Sequence, residues 1–320
     1  MVDTVYNIAI FLVSLVTCFI VTRFLIKKFR KMGTKPYVVP DMYKKGKPPI
    51  PNLGGLAIIF GVIASLIVSQ FLIQDVTKLL VFYFVVLTYG IFTLVDDLID
   101  VGKKSKIIIP FFLALPIALL NIDTSLSLGF FQIELGAIYT YIVAPLYLMV
   151  VANLINMHSG FNGLQTGLSG ILLIAITIKI LLEHGVGSTY LSLPILGAVL
   201  AFWYFDRYPS KMFLGNVGSY SMGSAIGGLL ILNNMEFFGV VILIPHIINF
   251  LMAVYIELVR GFKKRKNIFG KLRKDGTIEA PAYPTLKWFP AHFFRLTEKQ
   301  LTYIMYALTI AFCIIGLAFF

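Results

Sequence analysis

Long apolar runs constrain this chain more than any other feature of it. A membrane crossing needs roughly 20 mostly apolar residues to cover about 30 Å of hydrocarbon. By that rule crossings are expected near residues 4–26, 53–74, 78–95, 107–122, 138–155, 167–184, 189–205, 213–232, 236–259 and 300–320. At 58% hydrophobic and only 13% charged residues, the 320-residue chain lacks the polar surface that a soluble domain of this length needs. The expected fold is an all-α polytopic membrane protein with about ten transmembrane helices, built as one integral domain over residues 1–320. Two long loops, near 27–52 and 260–299, stand out between the runs, and no internal repeat or low-complexity tract is visible.

Charge gives an independent check on the crossings. The first run is preceded by Asp3 without a basic stretch and followed by Lys27, Lys28, Arg30 and Lys31, the reverse of a secretory signal peptide. The N-terminus is therefore expected outside, and an even number of crossings returns the C-terminus to the same side. The loops near 27–52, 96–106, 153–166, 206–212 and 260–299 are then inside, and they hold about 24 of the 27 Lys and Arg residues. The outer loops hold mainly Asp75, Asp123, Glu134, Glu183 and Glu236. One crossing more or fewer would put basic loops on both sides. The net charge of +12 thus reads as the positive-inside signature of a multi-pass cell-membrane protein, and no nucleic-acid partner is expected. Cys18 and Cys313 lie in distant apolar runs, as packing residues do, and offer neither a disulfide framework nor a metal motif.

The unusual polar clusters all fall on the inner surface. Asp96, Asp97 and Asp100 end the third run and precede Lys103, Lys104 and Lys106. Adjacent carboxylates beside hydrocarbon are costly and are usually kept for a function. They suit Mg²⁺, which takes a few carboxylates plus substrate phosphates, although an acidic helix end neutralised by lysines would look the same. Asn153 and Asn156 are three apart and share a helix face, and Gly160 and Gly163 let backbone approach a flat or anionic ligand. A tight re-entrant turn is the plainer explanation of that stretch. The glycine-rich start at Phe213-Leu-Gly215-Asn216-Val-Gly218 offers free N–H groups to phosphate. The basic loop Arg260–Lys274 and the stretch beginning at Lys47 fit either a substrate phosphate or the anionic headgroups of membrane lipids.

Taken in order, KPPIPNLGG, DDLIDVGKKSK, NLINMHSGFNGL, YPSKMFLGNVGS and KLRKDGTIE resemble the polyprenyl-phosphate N-acetylhexosamine-1-phosphate transferases, glycosyltransferase family 4. HSGFNGL and KDGTIE look closer to the archaeal and eukaryotic branch that forms dolichyl-linked GlcNAc. The resemblance runs from about Lys47 to the C-terminus. It implies ten transmembrane helices with both termini outside and an active site at the cytoplasmic face. It also implies transfer of GlcNAc-1-phosphate from UDP-GlcNAc to a polyprenyl (dolichyl) phosphate with loss of UMP, for glycan assembly of the N-glycosylation type. Mg²⁺, or Mn²⁺ in its place, would be held by Asn156 and Asn216. Asp96, Asp97 and Lys106 would be catalytic, with Lys106 neutralising phosphate and the carboxylates serving the lipid phosphate. Substrate contacts fall to Lys47, Asn153, Gly160, Asn162, Phe213, Arg265 and Lys266, those of Gly160, Asn162 and the backbone around Phe213 being with uridine. A homodimer is the assembly the resemblance suggests.

Two departures stand out. The family usually has Asp where this chain has Asn216, which can coordinate through its carbonyl oxygen but brings no charge. The stretch Arg265-Lys266-Asn267 lacks the histidine often found there. Three alternatives stay open at this point: the same chemistry with another UDP-N-acetylhexosamine or undecaprenyl phosphate, a lipid or sugar transporter, and an inactive scaffold of the family. A transporter would place its polar residues near mid-span with access from both faces. Here they sit at helix ends on one face.

Overall fold

The structure, a computed structural model, describes residues 2–73, 75–99, 101–102, 105–120, 122–127, 131–260 and 270–320. It is predominantly helical. The helices are α1 (Val2–Met32), α2 (Gly55–Leu72), α3 (Thr77–Ile99), α4 (Ser105–Ala114), α5 (Ala144–Met157), α6 (Leu164–His184), α7 (Leu193–Asp206), α8 (Gly215–Leu232), α9 (Glu236–Ile242), α10 (Ile244–Arg260), α11 (Phe289–Phe293) and α12 (Glu298–Phe319). Among the described residues three short antiparallel strand pairs lie in the connections and qualify the all-α expectation: β1 (Val38–Pro40) with β2 (Pro49–Pro51), β3 (Ser125–Ser127) with β4 (Gln132–Glu134), and β5 (Lys271–Leu272) with β6 (Ile278–Glu279).

Each of the ten expected segments contains helix, but their lengths differ from the expectation. Among the described residues six helices are long and apolar enough to cross a membrane, or seven if the bent pair α9–α10 counts as one span. The segment near 107–122 carries Pro110 inside α4 and tightens into a 3₁₀ turn at Leu115–Leu119. The segment near 189–205 opens with a 3₁₀ turn at Val186–Leu191, leaving 14 residues for α7. The expected single run 236–259 breaks between α9 and α10 with a bend of 68°. In the other direction, α3 continues to Ile99, so Asp96 and Asp97 sit within its last turns rather than after it.

Local chemistry explains where the regular helices stop and start. Gly33, at φ +67°, returns its N–H to the Phe29 carbonyl and closes α1 in the left-handed conformation that glycine adopts most readily. Thr297 caps α12: its hydroxyl accepts the Gln300 N–H at 3.3 Å, while the Gln300 side chain takes the Thr297 N–H at 2.9 Å.

The packing centre is α8. Every residue from Val217 to Ile231 is buried, so this helix is enclosed by protein on all sides. α2, α3, α5 and α6 pack around it. Small residues let the backbones approach, as they do in helix pairs that lipid cannot drive together. A methyl group on Gly55 of α2 would lie 2.0 Å from the Gly218 nitrogen, and one on Gly223 would lie 2.6 Å from the Ala152 Cα of α5. Around this centre, hydroxyls tie helices to one another: Ser14 to the Pro194 carbonyl at 2.6 Å, Ser65 to that of Ile10 at 2.9 Å and Tyr83 to that of Leu191 at 2.7 Å.

The α2–α8 contact gives a stability test. Gly55→Ala must push backbone apart, which costs about 1–3 kcal/mol, whereas Gly187→Ala meets nothing nearer than 3.9 Å. Thermal unfolding in detergent should show a lower midpoint for Gly55→Ala and an unchanged one for Gly187→Ala; equal midpoints would contradict the packing.

Candidate active site

Two of the sequence motifs are joined backbone to backbone. Phe213 donates its N–H to the Pro51 carbonyl at 2.8 Å, and the N–H groups of Gly54 and Gly55 return to the carbonyls of Phe213 and Leu214 at 2.9 and 2.8 Å. Gly54 has to be glycine here, because a methyl group would lie 2.1 Å from the Phe202 ring. This lacing fixes the entry to α8 and with it Asn216, one residue inside the helix.

Across from it is the end of α5. The Ser219 hydroxyl lies 2.8 Å from Asn156 Oδ1 and 3.0 Å from the Asn216 carbonyl, so its single proton serves one or the other. Gln165, in the first turn of α6, donates to the carbonyls of Ile155 at 2.9 Å and Asn156 at 3.3 Å, covering acceptors that a helix end leaves open. Asn153, one turn deeper, is engaged internally: Tyr220 donates to its Oδ1 at 3.0 Å and its Nδ2 donates to the Met149 carbonyl at 2.9 Å.

The carboxylates of α3 complete this junction. Asn216 Nδ2 donates to Asp97 Oδ1 at 2.6 Å, while Asp97 Oδ2 is shielded from solvent and has no hydrogen-bond partner among the described residues. Asp96 is buried, pairs with Lys106 Nζ at 3.0 Å and accepts the Val101 N–H at 3.2 Å. Among the described residues no group of three His, Cys, Asp or Glu side chains could hold a metal. The oxygens of Asp97, Asn156 and Asn216 are nevertheless hard donors. A carboxylate oxygen left without a partner among the described residues, on a side chain bonded to Asn216, suits a magnesium-type cation that draws its remaining ligands from a substrate and water.

Asn156, Gly160, Asn162, Phe213 and Asn216 all line one cleft of about 320 Å³, together with Asp41, Gln165 and Asp206. Its floor is the turn between α5 and α6, where Gly160 and Gly163 have φ of +112° and +72°. Asn162 lines the cleft yet has its polar groups engaged within the protein. Its N–H and Nδ2 donate to Glu298 Oε1 at 2.7 and 2.9 Å, Nδ2 also approaches Asp41 Oδ2 at 3.3 Å, and its Oδ1 accepts the Ser210 N–H at 2.7 Å. Lys44 joins Glu298 at 2.9 Å and lies over the Tyr208 ring. Asp206, also buried, is held by Thr166 at 2.5 Å and Ser210 at 3.0 Å. Lys287 donates to the Ser159 carbonyl from below the turn.

The expected residues therefore divide. Asn156, Asn216, Gly160, Asn162 and Phe213 come together, with Asp97 joined to them and Asp96 and Lys106 adjoining. Lys47 is exposed at the tip of the β1–β2 hairpin, outside the lining of the cleft, and Arg265 and Lys266 lie outside the described residues. Sequence reasoning missed Asp41, Lys44, Asp206, Lys287 and Glu298. A signal was present for Asp206 and Glu298, each a carboxylate at the end of an apolar run, as Asp96 is.

Comparison with known proteins places this arrangement. The profile of glycosyl transferase family 4 matches residues 79–234. A Saccharolobus solfataricus protein named, provisionally, as a UDP-N-acetylglucosamine–dolichyl-phosphate N-acetylglucosaminephosphotransferase is 30% identical, over 95% of this chain and 94% of its own length. A Bacillus subtilis protein named, again provisionally, as an undecaprenyl-phosphate N-acetylglucosaminyl 1-phosphate transferase is 31% identical, over 69% of this chain and 62% of its own. A Staphylococcus aureus phospho-N-acetylmuramoyl-pentapeptide-transferase is 26% identical, over 77% and 84%.

The Lys287 contact gives a pH test. Loss of water around its half-buried ammonium pushes Lys287 down from 10.5 to about 8. Between those pH values the unfolded chain binds the proton and the folded one does not, so this residue makes stability rise with pH. The difference in unfolding midpoint between the native protein and Lys287→Met should grow in favour of the native protein from pH 8 to 10.5. A flat difference would contradict the assignment.

Proposed function

The chain belongs to glycosyl transferase family 4, and on that premise we propose that it transfers N-acetylglucosamine 1-phosphate from UDP-N-acetylglucosamine to a polyprenyl phosphate of the dolichyl type, releasing UMP. The observation that carries this reading is the single cleft lined by Asn156, Gly160, Asn162, Phe213 and Asn216, with Asp97 bonded to Asn216 at 2.6 Å and an Asp96–Lys106 ion pair beside it. The names of the Saccharolobus and Bacillus relatives support the donor sugar. The Saccharolobus name, on a protein matched over nearly its whole length, favours dolichyl phosphate as acceptor; the Bacillus name keeps undecaprenyl phosphate as the second reading.

In this reading a phosphate oxygen of the lipid attacks the β-phosphorus of the sugar nucleotide. A new P–O bond forms, the bond to the oxygen bridging the two phosphates breaks, and UMP departs with that electron pair. A phosphate monoester has its second pKa near 6 and is already largely dianionic at neutral pH, so the nucleophile needs little help from a base. The chain's task is then to hold and neutralise. Lys106, oriented by Asp96, offers its positive charge to phosphate, and the Gly160 turn and the Phe213 backbone receive the nucleoside. Asp97, Asn156 and Asn216 would hold Mg²⁺, which when bound supplies charge neutralisation for the diphosphate. The proposal is completed by ten crossings, both termini outside and the cleft at the cytoplasmic face of the cell membrane, which the clustering of basic residues in alternate loops supports.

Purified protein with Mg²⁺, labelled UDP-N-acetylglucosamine and a polyprenyl phosphate should give UMP and lipid-linked sugar; absence of product with every UDP-sugar tried would overturn the reading. Asp97→Asn should cut the rate by about 100-fold or more at every pH and weaken the Mg²⁺ dependence. Recovery of its rate at high pH would instead make Asp97 a general base. Asn216→Asp replaces the donor to Asp97 with a second carboxylate, and its half-saturating Mg²⁺ concentration should fall several-fold, roughly as ligand charge dictates.

A further inference from the structure

The turn that floors the cleft does not hold its own shape. Ser159 to Gly163 connects α5 to α6 through two positive-φ glycines, and such a turn has many conformations open to it. What fixes it comes from more than a hundred residues away, in the segment leading into α12. Glu298 is the first residue of that helix and is only 3% exposed. Its Oε1 takes both the main-chain N–H and the side-chain amide of Asn162, at 2.7 and 2.9 Å, and its Oε2 takes Lys44 Nζ at 2.9 Å. Asn162 passes the constraint on, since its Oδ1 accepts the Ser210 N–H at 2.7 Å. Ser210 lies in the connection between α7 and α8, which carries Phe213 on the other wall of the cleft. Lys287 grips the same turn at its other end, through the Ser159 carbonyl, and lies 3.0 Å from where a side chain on Gly160 would begin.

The electrostatics argue against a merely incidental contact. Asp41, Asp206 and Glu298 are all at most 5% exposed, and Lys44 lies 2.9 Å from Glu298 and 4.0 Å from Asp41. Buried carboxylates persist where their hydrogen bonds are satisfied, and here the satisfied bonds are those that fix the two walls. Glu298 is also suited to its place, because an acidic side chain in the first turn meets the positive end of the α12 dipole.

We propose that Glu298 and Lys287 are positioning residues that set the nucleotide end of the cleft, Glu298 acting through Asn162 and Lys287 through the Ser159 carbonyl. This rests on the function proposed above and adds to it that the segment entering the last helix governs affinity for the sugar nucleotide rather than for the lipid. Neither residue touches a reacting atom. Both shape the surface on which the nucleoside lies.

The test measures KM for UDP-N-acetylglucosamine and for polyprenyl phosphate separately, with kcat, in Glu298→Ala, Asn162→Ala, the double variant and Lys287→Ala. Glu298→Ala should raise the sugar-nucleotide KM about tenfold, with the lipid KM within about twofold and kcat within about threefold. Lys287→Ala should raise the same KM several-fold. Because Glu298 acts through Asn162, the double variant should be no worse than the poorer single one. Glu298→Gln keeps an acceptor for Asn162 and should raise the sugar-nucleotide KM less than Glu298→Ala does, by about two- to threefold; where Glu298→Ala fails to fold, Asn162→Ala carries the test. Effects that multiply in the double variant, KM values that rise together for both substrates, or an unchanged sugar-nucleotide KM would overturn the positioning role while leaving the reaction intact. A native protein that makes no product would overturn the reaction, and the positioning role with it.

Discussion

The close backbone approach around α8 is the constraint on which the rest of this structure depends. Lipid tails give helices no hydrophobic reason to associate, so association must come from tight packing and from hydrogen bonds. Glycines at 55, 218 and 223 permit backbone distances that any side chain would forbid. That packing brings the ends of α3, α5 and α8 to one place. Asp97, Asn156 and Asn216 come from three separate helices, and the hydrogen bonds among Asp97, Asn216, Ser219 and Asn156 link those helix ends.

The electrostatic design of the junction follows from how few charges it uses. Asp96 pairs with Lys106, while the neighbouring Asp97 accepts the Asn216 amide. Asn216 contributes a carbonyl oxygen and, through its amide, a donor that one oxygen of Asp97 accepts. A carboxylate at 216 would place two negative charges where this chain has a charge-assisted hydrogen bond. The departure from the usual family residue is therefore matched by a local partner rather than left as an uncompensated loss.

Much of this was legible in the sequence, for identifiable reasons. Each of the ten apolar runs contains helix, because membrane helices must be long and apolar whatever their partners, while the short α11 lies outside them. The polar residues at their ends stood out against that background, and Asn156, Gly160, Asn162, Phe213 and Asn216 do share a cleft. What could not be read depended on three-dimensional proximity. The 68° break between α9 and α10 is an exception, because Pro245, the second residue of α10, marks it within the apolar run. Lys287 is an ordinary charged residue in a loop-rich stretch, and Glu298, though it stands out at the start of an apolar run, finds its partner Asn162 only through the return of α12 against α6. The motif leads one to expect a nucleoside contact at Asn162, and only its bonds to Glu298 and Ser210 reveal it also as a joint between two walls.

The central claim is that one cleft, between the α5–α6 turn and the start of α8, receives the sugar nucleotide. Its most direct test is an experimental structure of the protein with UDP-N-acetylglucosamine and Mg²⁺. The diphosphate and its cation should lie among Asp97, Asn156 and Asn216, with the nucleoside along Gly160 and Phe213. Density for the nucleotide elsewhere, such as the cavity lined by Asp3, Asp75 and Tyr190, would contradict it.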